Sequence, residues 1–227
     1  MFERKHRKEP EKLGGITFYI SMLALAIIAA SNLLHLPDLW DELARARAYR
    51  FAFGVVTGMS IAALLVRDHM AVLLHELKHA SISTLVGNRF KGIRISRHTG
   101  HYQYSYTEKT AHHNATIALA PYWFPLATLP LFLLTIGDFM AFESLLLVIG
   151  IGYGIDLLSG IRDVGPHQSD LTSIRGSYVV SLAYLALMHT ILFTILTAWA
   201  YQGLFGLKYL LYGLWNVAIG FAAYYYD

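Results

Sequence analysis

Apolar residues fall in long runs along this chain, with short polar stretches between them. The first run extends from Ile16 to about Leu36. That is long enough for a helix to cross a bilayer core, which takes about 20 residues. A basic start before an apolar run is also the pattern of a signal peptide. This run exceeds the usual apolar segment of such peptides and Ala29-Ala30-Ser31 is a poor cleavage site, so an uncleaved first span is expected. A polar connector over 37–50 precedes a second apolar stretch over about 51–86, interrupted by Arg67-Asp68-His69. One long helix, or two helices broken near Arg67, would both fit it. Runs over about 115–136, 139–158, 178–200 and 205–224 complete six expected spans. Pro121, Pro125 and Pro130 should bend the third of these. Gly150 and Gly154 have the small-xxx-small spacing of closely packed membrane helices. Trp40, Trp123, Trp199, Trp215 and the Tyr224–Tyr226 run suit the membrane–water interface.

One segment departs from this pattern. Lys91-Gly92-Ile93-Arg94-Ile95-Ser96 alternates polar and apolar residues, and His101-Tyr102-Gln103-Tyr104-Ser105-Tyr106 does so with tyrosines two apart. With Thr99-Gly100 between them, the two halves predict a β-hairpin over about 90–107. The expected fold is an all-α polytopic membrane protein of about six transmembrane helices. It forms a single domain over 1–227, with one small β-hairpin.

Composition agrees with a bilayer environment. Of 227 residues, 56% are hydrophobic and 15% charged, and the mean hydropathy is +0.45. Cysteine is absent, which excludes disulfides and thiolate metal ligands. No basic groove interleaved with aromatic residues points to nucleic acid. The net charge of +3 is small, and its distribution says more. Six spans put both termini on one side of the membrane. The N-terminus, the 88–113 region and the 159–177 loop would carry twelve Lys/Arg there: Arg4, Lys5, Arg7, Lys8, Lys12, Arg89, Lys91, Arg94, Arg97, Lys109, Arg162 and Arg175. The other side holds four, Arg45, Arg47, Arg50 and Lys208. The positive-inside rule then predicts cytoplasmic termini.

The chemistry concentrates in His75-Glu76-Leu77-Lys78-His79, an H-E-x-x-H motif. Residues four apart share a helix face, so His75 and His79 can direct two imidazole nitrogens at one zinc ion. Glu76 is turned aside by about a quarter of the helix circumference, where it can take a proton from water activated by zinc. A hydrolytic zinc site needs a third protein ligand, and no extended H-E-x-x-H-x-x-G-x-x-H pattern follows. Asp156, Asp163, His167 and Asp170 are candidates on the same membrane side.

The chain resembles the site-2 protease family of intramembrane zinc metalloproteases over roughly residues 51–175. Three features carry the resemblance: H-E-x-x-H at the cytoplasmic end of an early span, a β-hairpin directly after it, and an acidic motif in a later membrane segment. The family's acidic motif reads roughly N-x-x-P followed by Asp-Gly. Here Asp163-Val164-Gly165-Pro166 has Asp in place of Asn, Asp170 falls one residue early, and Leu171 replaces Gly. The resemblance implies zinc held by His75, His79 and Asp170, with Asp163 the next choice, and Glu76 as general base. It implies hydrolysis of transmembrane or membrane-anchored proteins in a bacterial or archaeal cell membrane, with regulatory membrane partners unknown. Asp163, Pro166, His167, Tyr102 and Tyr104 would contact substrate, and the hairpin edge would hold an unwound segment by strand addition.

Other readings are simpler for several residues. Lys78 reads as a snorkelling surface residue, Asp156 as a structural hydrogen-bond acceptor, and Asn114 as the cap of the third span. Two competing functions also fit the sequence. One is a membrane di-iron desaturase or hydroxylase, with His75/His79, His98/His101 and His112-His113 as its histidine boxes. The other is a non-catalytic scaffold or transporter.

Overall fold

The computed structural model describes residues 15–136, 139–174 and 177–226. The basic residues Arg4, Lys5, Arg7, Lys8, Lys12 and Arg175, and the side chains of Tyr224–Tyr226, lie outside what is described. The elements run α1 (Gly15–His35), a 3-10 turn (Pro37–Leu39), α2 (Glu42–Leu65), α3 (Asp68–Leu85), β1 (Arg89–Ile95) and β2 (Gly100–Ser105). After a second 3-10 turn (Ala111–His113) come α4 (Asn114–Trp123), α5 (Thr128–Ile136), α6 (Phe139–Arg162), α7 (Ser169–Thr172) and α8 (Ser177–Tyr226).

Among the described residues four helices are long and apolar enough to cross a membrane: Ile16–His35, Glu42–Leu65, Leu145–Arg162 and Tyr178–Gly220; the bent α4–α5 pair makes a fifth if counted as one span. Their outward faces are apolar. Ile16, Tyr19, Leu33 and Leu34 on α1, and Leu211 and Trp215 on α8, are exposed, more bare apolar surface than a water-soluble fold usually tolerates. The long α8 breaks at Gln202 and Gly203, the latter at φ 59. Both arms reach the end of α1: Asn32 Nδ2 donates to Thr194 Oγ1 at 2.7 Å, and the His35 ring packs against Gly213.

One boundary differs from that expected, and two breaks follow readings the sequence allowed. The connector over 37–50 is mostly helix, because the Asp41 carboxylate caps the N-terminus of α2 by accepting from Ala44 N at 2.6 Å, well before the apolar run begins. The 51–86 stretch is two helices, and α3 is not among those apolar enough to cross alone. Arg67 is extended (φ −133, ψ 164) and Asp68 has φ 46. Carbonyls near the break are taken up by side chains: Arg67 Nε donates to Ala63 O and Arg162 Nη2 to Val66 O. The 115–136 stretch is also two helices, bent by 88°, as its prolines led one to expect. Phe124 is extended ahead of Pro125, as a residue before proline tends to be.

Helix α2 buries Ala44, Arg47, Phe51, Gly54, Gly58 and Ala62, a stripe at three- and four-residue steps. It meets α6 glycine to backbone. A Cβ at Gly54 or Gly58 would overlap the carbonyl oxygens of Leu147 or Ile151, and one at Gly150 or Gly154 those of Phe51 or Val55. The close packing expected of Gly150 and Gly154 is thus matched by a second pair on the partner helix. Trp199, read above as interfacial, is instead 1% exposed in a core with Phe51, Leu146, Ile149 and Tyr153.

Candidate metal centre

Helix α3 is unusual in burying a polar face: Glu76, Lys78, His79 and Ser83 are all buried. Lys78 is therefore not a snorkelling surface residue. Its side chain is 2% exposed, with Nζ 3.4 Å from Asp156 Oδ1 on α6. The other oxygen, Asp156 Oδ2, accepts from Ala127 N, Thr128 N and Thr128 Oγ1 at 2.8–2.9 Å. Asp156 thus caps α5 and anchors α3 at once. Neither role brings it to the histidines, in keeping with the structural reading of this residue. The break between α4 and α5 is stable because the freed N–H groups have this carboxylate to donate to.

One turn of α3 carries His75 and His79 toward α7. His75 Nε2 and His79 Nε2 each lie 3.5 Å from Asp170 Oδ2. This group of three is the one set among the described residues able to hold a metal, with all donor atoms within 4.8 Å of one another. A separation of 3.5 Å is long for a hydrogen bond, which is usually about 2.7–3.2 Å. It matches the edge of a zinc tetrahedron, in which arms of about 2.1 Å set donors about 3.4 Å apart. The residues present could therefore hold a metal ion.

The far side of each imidazole is also engaged. His79 Nδ1 lies 2.7 Å from the Ile117 carbonyl and His75 Nδ1 lies 3.3 Å from Asp163 Oδ2. With a metal bound, a proton on each Nδ1 would donate to these acceptors and leave each Nε2 lone pair for the ion, the usual arrangement behind metal-bound histidines. Asp163 thus stands behind His75 rather than beside Asp170. Burial pushes the Asp170 carboxyl pKa up, but in the metal-free protein hydrogen bonds and positive charge from protonated His75 and His79 outweigh this and hold it below the usual carboxylate range.

The hairpin closes one side. β1 and β2 pair antiparallel, with Phe90 opposite Tyr104 and Ile93 opposite Tyr102. A bulge between Phe90 and Gly92 absorbs Lys91, so Phe90 and Ile93 share a face despite being three apart. Tyr102 and Tyr104 stack at 5.3 Å on that face. Tyr104 Oη donates to Asn114 Oδ1 at 2.9 Å, tying the sheet to α4. Asn114 is therefore the first residue of α4 and a partner of the hairpin, with no side-chain cap there. The tip is tethered to the start of α3 by exposed pairs from Arg97 and His98 to Asp68, at 3.6 and 3.8 Å.

His75, Glu76, His79, Asp163 and Asp170 all line one cavity of about 690 Å³, which β2 borders through Gly100, His101, Tyr102 and Tyr104. No β1 residue lines it. Pro166 and His167 are exposed and lie outside that lining. Gly100 is a site residue that no sequence pattern singles out. A Cβ there would lie 2.6 Å from Glu76 Cγ and 2.7 Å from Cδ, and would overlap the carboxylate. Only a glycine leaves room for the Glu76 side chain against the strand. Comparison with protein-family models, curated proteins and solved structures returned no match.

Proposed function

We propose that the chain is an intramembrane zinc metalloprotease, similar to the site-2 proteases, that hydrolyses peptide bonds of transmembrane or membrane-anchored proteins. The observation that carries this reading is the trio of His75 Nε2, His79 Nε2 and Asp170 Oδ2 at zinc-like spacing, with Glu76 in the same cavity. Charge supports a divalent ion: Glu76, Asp163 and Asp170 line the cavity, and among the described residues no lysine or arginine does.

Zinc, when bound, polarises the scissile carbonyl and lowers the pKa of water. Glu76 takes the proton from the attacking water and passes it to the leaving amine. Asp163 and the Ile117 carbonyl hold the two imidazoles in the tautomer that coordinates. β2 has a free edge beside the cavity, which suits an unwound substrate segment added as a third strand. Tyr102 and Tyr104 offer it an aromatic surface.

In this proposal the two arms of α8 cross separately and the α4–α5 pair enters the membrane as a broken span. The excess of Lys/Arg then puts both termini in the cytoplasm of a bacterial or archaeal cell. A di-iron centre has less support, because His98, His101, His112 and His113 do not belong to the one three-donor group among the described residues. The decisive experiment compares wild type with Glu76→Gln on a panel of membrane-anchored reporter helices. Glu76→Gln should retain zinc and lose cleavage. Full cleavage by that variant would refute the protease assignment.

A further inference from the structure

Ligands of a catalytic metal are held from behind as well as from the front, and ligating carboxylates are usually themselves hydrogen-bonded. Two of the three ligands proposed above have such a neighbour, His75 in Asp163 and His79 in the Ile117 carbonyl. Asp170 meets the two imidazoles through Oδ2, and its outer support is the part still to be accounted for.

Tyr122, on α4, is the residue built to supply it. Its side chain is 0% exposed, and its hydroxyl is a buried polar atom with no hydrogen-bond partner of good geometry. A buried unpaired hydroxyl is costly and calls for an explanation. The ring packs edge-on against His75, with centroids 5.7 Å apart and planes at 87°. Asp170 and Asp163 are the charged groups that act on the hydroxyl. Its backbone is fixed as well: the Tyr122 carbonyl accepts from His189 Nε2 at 2.8 Å, and Gly160 packs so close to it that a side chain there would overlap it. The phenol is thus held against His75 with its one polar atom lacking a well-formed hydrogen bond.

We propose that Tyr122 is the positioning residue of the acidic ligand: in the metal-loaded protein its hydroxyl donates to the Asp170 carboxylate and holds it for coordination through Oδ2. The proposal rests on the zinc reading above. It gives each of the three ligands an outer partner from a different source: a carboxylate on the loop after α6, a main-chain carbonyl of α4 and a phenol of α4.

The test is Tyr122→Phe in the full chain, purified in detergent, with zinc affinity measured against a chromophoric chelator and cobalt substitution followed by visible absorption. The ring and its packing on His75 are preserved, so only the hydroxyl is lost. Zinc binding should weaken about 10- to 100-fold, and the cobalt spectrum should change. The metal-free melting temperature should stay level or rise. Wild-type zinc affinity in Tyr122→Phe overturns the proposal, as does a lowered metal-free melting temperature with affinity unchanged. In an Asp170→Ala background the Tyr122→Phe change should add no further loss of zinc affinity; a full additional loss also overturns it. A wild-type chain that binds no zinc is a separate outcome, which removes the zinc reading and this inference with it.

Discussion

Gly100→Ala separates stability from chemistry more sharply than any other single change in this protein. The new methyl carbon would sit 2.6 Å from Glu76 Cγ and 2.7 Å from Cδ, where a comfortable carbon–carbon contact is about 3.5–4.0 Å. The Glu76 side chain must move by about 1 Å to clear it. That side chain is flexible, so the fold absorbs the change through a rotamer shift, and stability should fall by less than about 1 kcal/mol. As the proposed general base, Glu76 has no such freedom. A displacement of about 1 Å can cost about 100-fold in rate, equivalent to about 2.7 kcal/mol in the barrier. His75, His79 and Asp170 are untouched, so zinc content should stay at the wild-type level. The assay pairs metal analysis of the purified variant with its cleavage rate on a membrane-anchored reporter. Gly165→Ala is the control, since a Cβ there meets nothing within 4 Å. Wild-type cleavage by Gly100→Ala would refute the idea that this strand seats the catalytic carboxylate. Loss of zinc together with cleavage would show that the damage lies at the metal instead.

Other expectations follow from the packing and from the ligands. Lys78→Met should destabilise the chain by about 3–5 kcal/mol in chemical denaturation, because Asp156 keeps a buried charge without its cation. Lys78→Met combined with Asp156→Asn should recover much of that loss, and a strictly additive double mutant would argue against the pairing. Gly58→Ala pushes a methyl into the Ile151 carbonyl and should cost about 1–3 kcal/mol, as overpacking usually does; unchanged stability would mean that α2 and α6 can separate freely. Asp170→Ala should abolish tight zinc binding, while Asp163→Ala should weaken it about 10- to 100-fold through the freed His75. The reverse order in a competition titration would make Asp163 the ligand.

Local pattern made much of this chain legible. A run of about 20 apolar residues has few stable forms other than a membrane-crossing helix, and the described residues hold four helices long and apolar enough to cross. The hairpin was readable because alternation with period two maps directly onto a sheet face. His75, Glu76 and His79 were readable because helix geometry alone brings them together. Boundaries were less so: the cap at Asp41 extends α2 beyond its apolar run, and the break at Arg67 depends on Arg162, almost a hundred residues away, to take up the Val66 carbonyl.

The sequence by itself determined the mostly helical class with its one hairpin and one half of the candidate metal site, since both depend on periodicities that hold within a single element. Only the tertiary structure decided the other half. Asp170 faces the histidines and Asp163 stands behind one of them because α4, packed on α3, also holds α6 and α7. Lys78 became a buried anchor because α6 offers it Asp156. Gly100 and Tyr122 gained their significance from what lies opposite them. A side chain's partner across the fold is set by packing between distant segments, and no spacing along the chain encodes it.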